Sequence, residues 1–253
     1  MAPRGASGVP ALSRTPPAMP HVCITGASQG IGEAVARAYA AAFGAEARLS
    51  LLARSEANLA RVAAGCREAG AEAAPVACDV TDGAAVARAA AAVHERFGAV
   101  GVLVNNAGVF APGSFLETTP EAFRAQLEVN LVSAFAVTRA LLPAMLEAGA
   151  GDVVFMASVA SLRGYAGGAA YGAAKHGLLG LARTLRAETL DRGVRVIAVL
   201  PGATQTPSWD GAGVPPERLM PASAVADAVV AATRLPRGAV VEEVLLRPQR
   251  GDV

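Results

Sequence analysis

Lysine is almost missing from this chain. Among 22 basic residues Lys175 is the only lysine, and all the others are arginine. Cysteine is nearly as scarce: Cys23, Cys66 and Cys78 have neither CxxC nor Cys/His spacing, which argues against a zinc site or a disulfide framework. Three scattered thiols fit a reducing, cytoplasmic compartment, with all of them buried and inert. No uninterrupted apolar run reaches the roughly 18 residues needed to cross a bilayer, so no membrane partner is expected. Lys and Arg do not cluster and the net charge is only +1, which leaves nucleic-acid binding without its electrostatic footprint. Acids are missing from residues 1–19, a Pro/Ala/Gly/Ser segment carrying Arg4 and Arg14. It lacks the apolar core of a secretory signal, and its prolines and want of an amphipathic stripe argue against a transit peptide. We read residues 1–19 as a disordered extension, 20–248 as a single domain and 249–253 as a tail.

What is present is apolar and periodic. The chain is 53% hydrophobic and 17% charged, more apolar than an average soluble protein, and much of the excess is alanine, which favours helix and close packing. Short apolar runs at 21–25, 49–53, 74–77, 100–104, 152–157, 195–200 and 240–246 read as strands. Helix-favouring stretches to about residue 43 and at 59–69, 84–97, 120–147, 169–191 and 222–234 lie between them. Such alternation predicts right-handed crossovers and a parallel sheet covered on both faces. The expected fold class is α/β: a Rossmann-like, doubly wound parallel sheet of about seven strands. Ligands of such sheets bind beyond the carboxyl ends of the strands, so the residues just after each strand carry the functional information.

After the first strand come Gly26, Ser28, Gln29, Gly30, Ile31 and Gly32, opening a helix. Glycine lets the backbone approach a pyrophosphate, and the helix start offers unpaired N–H groups with a partial positive charge. The spacing is GxxxGxG rather than GxGxxG. Alone it could be only a tight connection, but its place in the first strand–helix unit favours a dinucleotide. After the second strand, NAD sites usually present an acid to the ribose 2′-hydroxyl. Here Arg54-Ser55 follows instead, and an arginine fork suits a 2′-phosphate. NADP(H) is therefore the preferred cofactor and NAD(H) the secondary one, against the alternative of an ordinary exposed arginine. Asp79 and Val80, after the third strand, stand where an adenine edge could be held, although Asp79 could instead cap the next helix.

The strongest local signal is Tyr171-Gly-Ala-Ala-Lys175 at the start of a helix. Residues four apart share a helix face, so phenol and ammonium project together. A nearby cation favours the phenolate and brings an otherwise protonated group toward acid/base range. That the single lysine stands here, in a chain that otherwise uses arginine, sharpens the reading. Ser158 follows the 152–157 strand, where a hydroxyl could steady a carbonyl oxygen. Asn106, Ala107 and Gly108 form a turn after the 100–104 strand, which could support the cofactor backbone or be merely a turn. Asn130 lies mid-helix, where an amide is mildly unfavourable and serves either structure or function.

These motifs together resemble the short-chain dehydrogenase/reductase family from about Pro20 to Pro248. The match comprises a TGxxxGxG turn at 25–32, NNAG at 105–108, Asn130, Ser158, YxxxK at Tyr171 and Lys175, and PGxxxT at 201–206. The resemblance implies Tyr171 as catalytic acid/base and Lys175 as the group that binds the nicotinamide ribose and lowers the tyrosine pKa. It further implies that Ser158 orients the carbonyl and Asn130 holds a relay water, while Pro201, Gly202, Thr204 and Thr206 line the nicotinamide end. It also implies a homodimer or homotetramer formed through the two long helices. Many NADP(H) members carry a base where this chain has Gln29, so the 2′-phosphate assignment rests mainly on Arg54. No metal is implied.

The expected activity is hydride transfer between NADP(H) and a small to medium ketone or aldehyde, or the matching alcohol. Substrate walls are expected at 159–166 and 203–209, mostly small or apolar, with Arg163 and Tyr165 as exceptions. Alternatives are a 3-oxoacyl-thioester reductase or a sepiapterin-type reductase. An epimerase or dehydratase would carry a longer C-terminal domain and GxxGxxG spacing. A regulatory protein that only binds the cofactor would not need the complete set of proton-transfer groups.

Overall fold

The computed structural model describes residues 21–252; the expectation for residues 1–19 falls outside them. Seven strands, β1 (His21–Thr25), β2 (Arg48–Ala53), β3 (Glu72–Ala77), β4 (Val102–Asn105), β5 (Gly151–Met156), β6 (Val194–Pro201) and β7 (Glu243–Leu246), form one sheet in the order β3-β2-β1-β4-β5-β6-β7. Every neighbouring pair is parallel. Helices α1 (Gly30–Phe43), α2 (Glu56–Glu68), α3 (Gly83–Phe97), α4 (Pro120–Leu127), α5 (Ser133–Glu147), α6 (Ala169–Thr189) and α7 (Ala222–Thr233) make the crossovers.

Strand alternation sorts the core into two layers. Val22 and Ile24 of β1, Val102 and Val104 of β4, and Ile197 and Val199 of β6 share one cluster with α1, α2 and α7. Cys23, Leu103, Val153 and Phe155 share the other with α3, α5 and α6. Strands buried on both faces read as continuous apolar runs, so the sequence exposed them. Pro75 sits in β3, at the edge of the sheet, where a missing N–H is tolerated.

Three expectations needed correction. The 120–147 helix is interrupted by a π turn at Glu128–Val132, centred on Asn130. Asp79 does not cap α3; Asp82 does, accepting from the Ala84 N–H at 2.8 Å. The last strand is shorter than expected and begins only at Glu243. The 120–147 run is also long and apolar enough to cross a membrane. Its apolar character has a packing explanation on one side, since Ala134, Val137, Leu141 and Met145 face the sheet.

At the end of the sheet opposite the cleft, Asp152 and Arg195 stand in register on β5 and β6. Arg195 donates to both carboxylate oxygens at 2.7 and 2.8 Å, and its remaining N–H groups reach the Thr233, Leu235 and Ala239 carbonyls at 2.9 Å each. This one buried guanidinium thus ties two central strands to the end of α7. Asp152→Ala leaves it without a counter-charge. We expect a loss of about 3–5 kcal/mol, read from the urea midpoint; a shift under about 1 kcal/mol would contradict this role.

Candidate active site

At the carboxyl end of the sheet a cleft of about 990 Å³ runs across β1 and β4, where strand order reverses and open α/β sheets bind ligands. The turn after β1 and the turn after β4 touch. The Thr25 hydroxyl accepts from the N–H groups of Asn106 and Ala107 at 3.0 Å each, and the Asn106 amide donates to the Thr25 and Gly26 carbonyls at 3.0 and 3.2 Å. A Cβ on Gly26 would lie 2.9 Å from the Ala107 Cα, and one on Gly32 only 2.3 Å from the Gly26 carbonyl oxygen. Gly26 and Gly30 also adopt left-handed φ of +65° and +57°, which favours glycine. Helix α1 starts with no side-chain cap, so its first N–H groups are free for an anion. That arrangement fits a dinucleotide pyrophosphate.

Arg54 is exposed at one end of the cleft and makes no ion pair or hydrogen bond among the described residues. Ser55 caps α2 beside it, accepting from the Asn58 N–H at 3.4 Å, and Asn58 also lines the cleft. The Asp79 carboxylate accepts from the Thr81 N–H and hydroxyl at 3.0 and 2.7 Å. Those bonds, with a smaller pull from Arg54, hold its carboxyl below the usual range.

Toward the middle, Ser158, Tyr171, Lys175 and Asn130 converge. Lys175 is buried, donates to the Met156 carbonyl at 2.8 Å, and sits 5.6 Å from the Tyr171 ring centre. Burial lowers its pKa to about 8. The phenol does not show the depressed pKa expected from the pair. Burial pushes Tyr171 up to about 12, with only a hydrogen bond from Ser158 pulling the other way. In the protein alone, desolvation outweighs the Ser158 bond, and the phenol is a protonated acid. Asn130 is nearly fully buried; its amide donates to the Val109 and Gln126 carbonyls at 2.9 and 3.1 Å and accepts from the Val109 N–H at 3.2 Å. Its side chain therefore braces the segment after β4.

Gly26, Ser28, Gln29, Gly30, Ile31, Arg54, Asp79, Val80, Asn106, Ala107 and Gly108 line this same cleft, as do Pro201, Gly202, Thr204 and Thr206. Sequence reasoning missed Phe110, which meets Tyr171 edge-on at 5.0 Å and stacks on Trp209 at 5.9 Å. It also missed Asp252, assigned to the tail, which lines the cleft and pairs with Arg163 and, at 3.3 Å, with Arg247. No local motif marks either residue, because each reaches the site through distant segments. The short 203–221 segment folds back on itself: the Gln205 N–H donates to the Met220 carbonyl at 2.7 Å and the Met220 N–H to the Ala203 carbonyl at 2.9 Å.

The family described as short chain dehydrogenase matches residues 20–213. The chain is 36% identical over 241 residues to a sepiapterin reductase of Chlorobaculum tepidum, covering 93% of this chain and 99% of that protein. Among solved structures it resembles an alcohol dehydrogenase of Thermococcus sibiricus complexed with 5-hydroxy-NADP, with TM-score 0.84, 34% identity, and 90% and 96% coverage of the two chains. An actinorhodin polyketide ketoreductase with NADPH is similar as well, with TM-score 0.83, 32% identity, and 92% and 97% coverage. The chain belongs to the short-chain dehydrogenase family, and is thus an oxidoreductase acting on CH–OH and C=O groups.

The raised phenol and thiol values have a measurable consequence. Tyr171 and the buried Cys23, each at about 12, bind their protons more tightly folded than unfolded. Their contribution is complete below the unfolded values, near 9 for the thiol and 10 for the phenol, and is lost as pH climbs to about 12. Urea midpoints should therefore fall across that window, and the difference between the absorbance titrations of wild type and Tyr171→Phe should show no tyrosinate from this phenol forming near pH 10. A Tyr171-dependent transition near 10 would contradict the desolvated environment of the phenol.

Proposed function

We propose that this chain is an NADP(H)-dependent reductase of small to medium ketones or aldehydes, reversible toward the alcohols. The observation that carries it is the convergence of Ser158, Tyr171 and Lys175 on one cleft that also holds the glycine turn and a free Arg54. NADP(H), when bound, supplies the hydride. The turn at Gly26–Gly30 and the start of α1 take the pyrophosphate, Arg54 takes the 2′-phosphate, and Asp79 and Val80 flank the adenine. Pro201, Gly202, Thr204 and Thr206 line the nicotinamide end. Near the reacting carbon, Ser158 donates to the carbonyl oxygen and Tyr171 delivers the proton. Lys175 holds the nicotinamide ribose, and Asn130 braces the wall behind it. A phenol kept protonated by burial is suited to protonating an oxyanion. In the oxidative direction Tyr171 must be present as the phenolate before it can accept the alcohol proton, and the Ser158 hydrogen bond and a neighbouring ammonium both favour that deprotonated form.

A pterin-type carbonyl is the second reading. It is favoured by the nearly end-to-end similarity to the sepiapterin reductase, whereas other relatives match about three quarters of this chain. We further infer a cytoplasmic homodimer or homotetramer, consistent with the exposed Val132 and Phe135 on the 120–147 run and with three unpaired buried cysteines.

NADPH oxidation across a carbonyl panel, including a pterin ketone, tests the activity and separates the two readings. Tyr171→Phe should retain NADPH binding and lose kcat by at least about a hundredfold; near-normal turnover would sink the assignment. Arg54→Ala should cut the NADPH-over-NADH preference in kcat/KM by roughly tenfold or more, equivalent to one charge-assisted contact. A wild type that prefers NADH would overturn the cofactor reading.

A further inference from the structure

Outside the cleft, a carboxylate in the first turn of α1 is gripped from two sides. Arg61 on α2 donates to both oxygens of Glu33, Nη1 to Oε1 at 2.7 Å and Nη2 to Oε2 at 2.6 Å. The same Nη2 reaches the main-chain carbonyl of Ser28, in the glycine turn, at 3.2 Å. Arg37, one helical turn beyond Glu33, adds an Nε contact to Oε1 at 3.0 Å. Helix α2 makes room for it, since a Cβ on Gly65 would stand 2.4 Å from the Arg37 Nη1. The arginine bonds, Arg61's the largest, hold the Glu33 carboxyl below its usual range, so it is charged at neutral pH.

This carboxylate stands at the end of α1 that meets the cofactor phosphates. A negative charge in a first turn favours the helix itself but competes with any anion bound at the same N-terminus. Two guanidiniums offset that charge. Ser28 lines the cleft, and Arg61 does not.

We propose that the Glu33–Arg61 fork is a positioning and screening device for cofactor binding. It locks the Ser28 carbonyl of the glycine turn onto α2 and neutralises a carboxylate that would otherwise oppose the phosphates. Cofactor affinity then depends on Arg61 although Arg61 does not touch the cofactor. Exposed ion pairs of this kind contribute little to stability, so a merely structural role would leave affinity unchanged. The proposal rests on the NADP(H) reading above.

The test is NADPH fluorescence titration of wild type, Arg61→Met, Arg61→Lys and the double variant Glu33→Gln/Arg61→Met, with steady-state kinetics on the carbonyl found by the panel. Arg61→Met should weaken NADPH binding roughly fivefold. The loss should fall on the NADPH KM, with kcat held within about twofold. Arg61→Lys should restore part of the affinity. The double variant should also restore part of it, because the carboxylate left to Arg37 alone is gone. Wild-type affinity in Arg61→Met overturns the proposal. A double variant as weak as Arg61→Met overturns the screening role and leaves the Ser28 contact to carry the whole effect. A wild type that binds no NADPH overturns the cofactor reading and the fork with it, so the two failures are distinguishable.

Discussion

The whole cleft depends on how closely two turns approach each other. The turn after β1 and the turn after β4 meet at the point where the order of the sheet reverses, and the Thr25 hydroxyl bonds both N–H groups that the second turn offers it. A side chain at Gly26 would drive the two turns apart, and one at Gly32 would push α1 off them. From that contact the rest is fixed: the start of α1 faces one side of it, and Gly108, Asn130 and Lys175 crowd the other. A Cβ on Gly108 would fall 2.6 Å from the Asn130 Oδ1 and 3.7 Å from the Lys175 Nζ. The proposed anion-binding and proton-transfer ends are therefore two sides of one packing constraint.

The single lysine gains its meaning from burial. Its ammonium lies in the core with one carbonyl partner and a lowered pKa. An arginine could not be accommodated there by shedding its proton, because a guanidinium stays charged at any ordinary pH. It would also bring five donors to a place where one carbonyl is offered. The chain uses arginine freely where forks are useful, as in the Asp152 bridge and the Glu33 fork, and uses lysine where a small, adjustable cation is needed. The phenol beside it shows the opposite effect of the same desolvation, since burial disfavours charge of either sign.

How much of this was legible in the sequence follows from which interactions are local. Strands buried on both faces appear as apolar runs, and the cleft-lining residues follow them at the carboxyl ends, so Arg54, Asp79, Asn106, Ser158 and Pro201 could be placed on the cleft by position alone. The Tyr171–Lys175 pair lies on one helix and is set by helical spacing. The π turn at Glu128–Val132 was not legible, because one extra residue in a turn hardly disturbs an apolar period. Asp79 is the cap that the sequence suggests for α3, but the backbone path between the two aspartates places Asp82 at the helix start instead. Phe110 and Asp252 were missed because their partners, Trp209 and Arg163, lie roughly a hundred residues away along the chain.

That division bears on what the site selects. The groups proposed for hydride and proton chemistry sit on strand ends and one helix, elements held by the sheet. The groups at the proposed substrate end, Phe110, Trp209, Arg163 and Asp252, lie outside the sheet strands, and they pair with one another as Phe110 with Trp209 and Arg163 with Asp252. Substitutions among them can change the shape and charge of that end without disturbing the Thr25 contact or the burial of Lys175. A fold built this way keeps its reaction while its substrate changes, because the two are stabilised by different interactions. The similarity of this one chain to a sepiapterin reductase, an alcohol dehydrogenase and a polyketide ketoreductase is what that separation predicts.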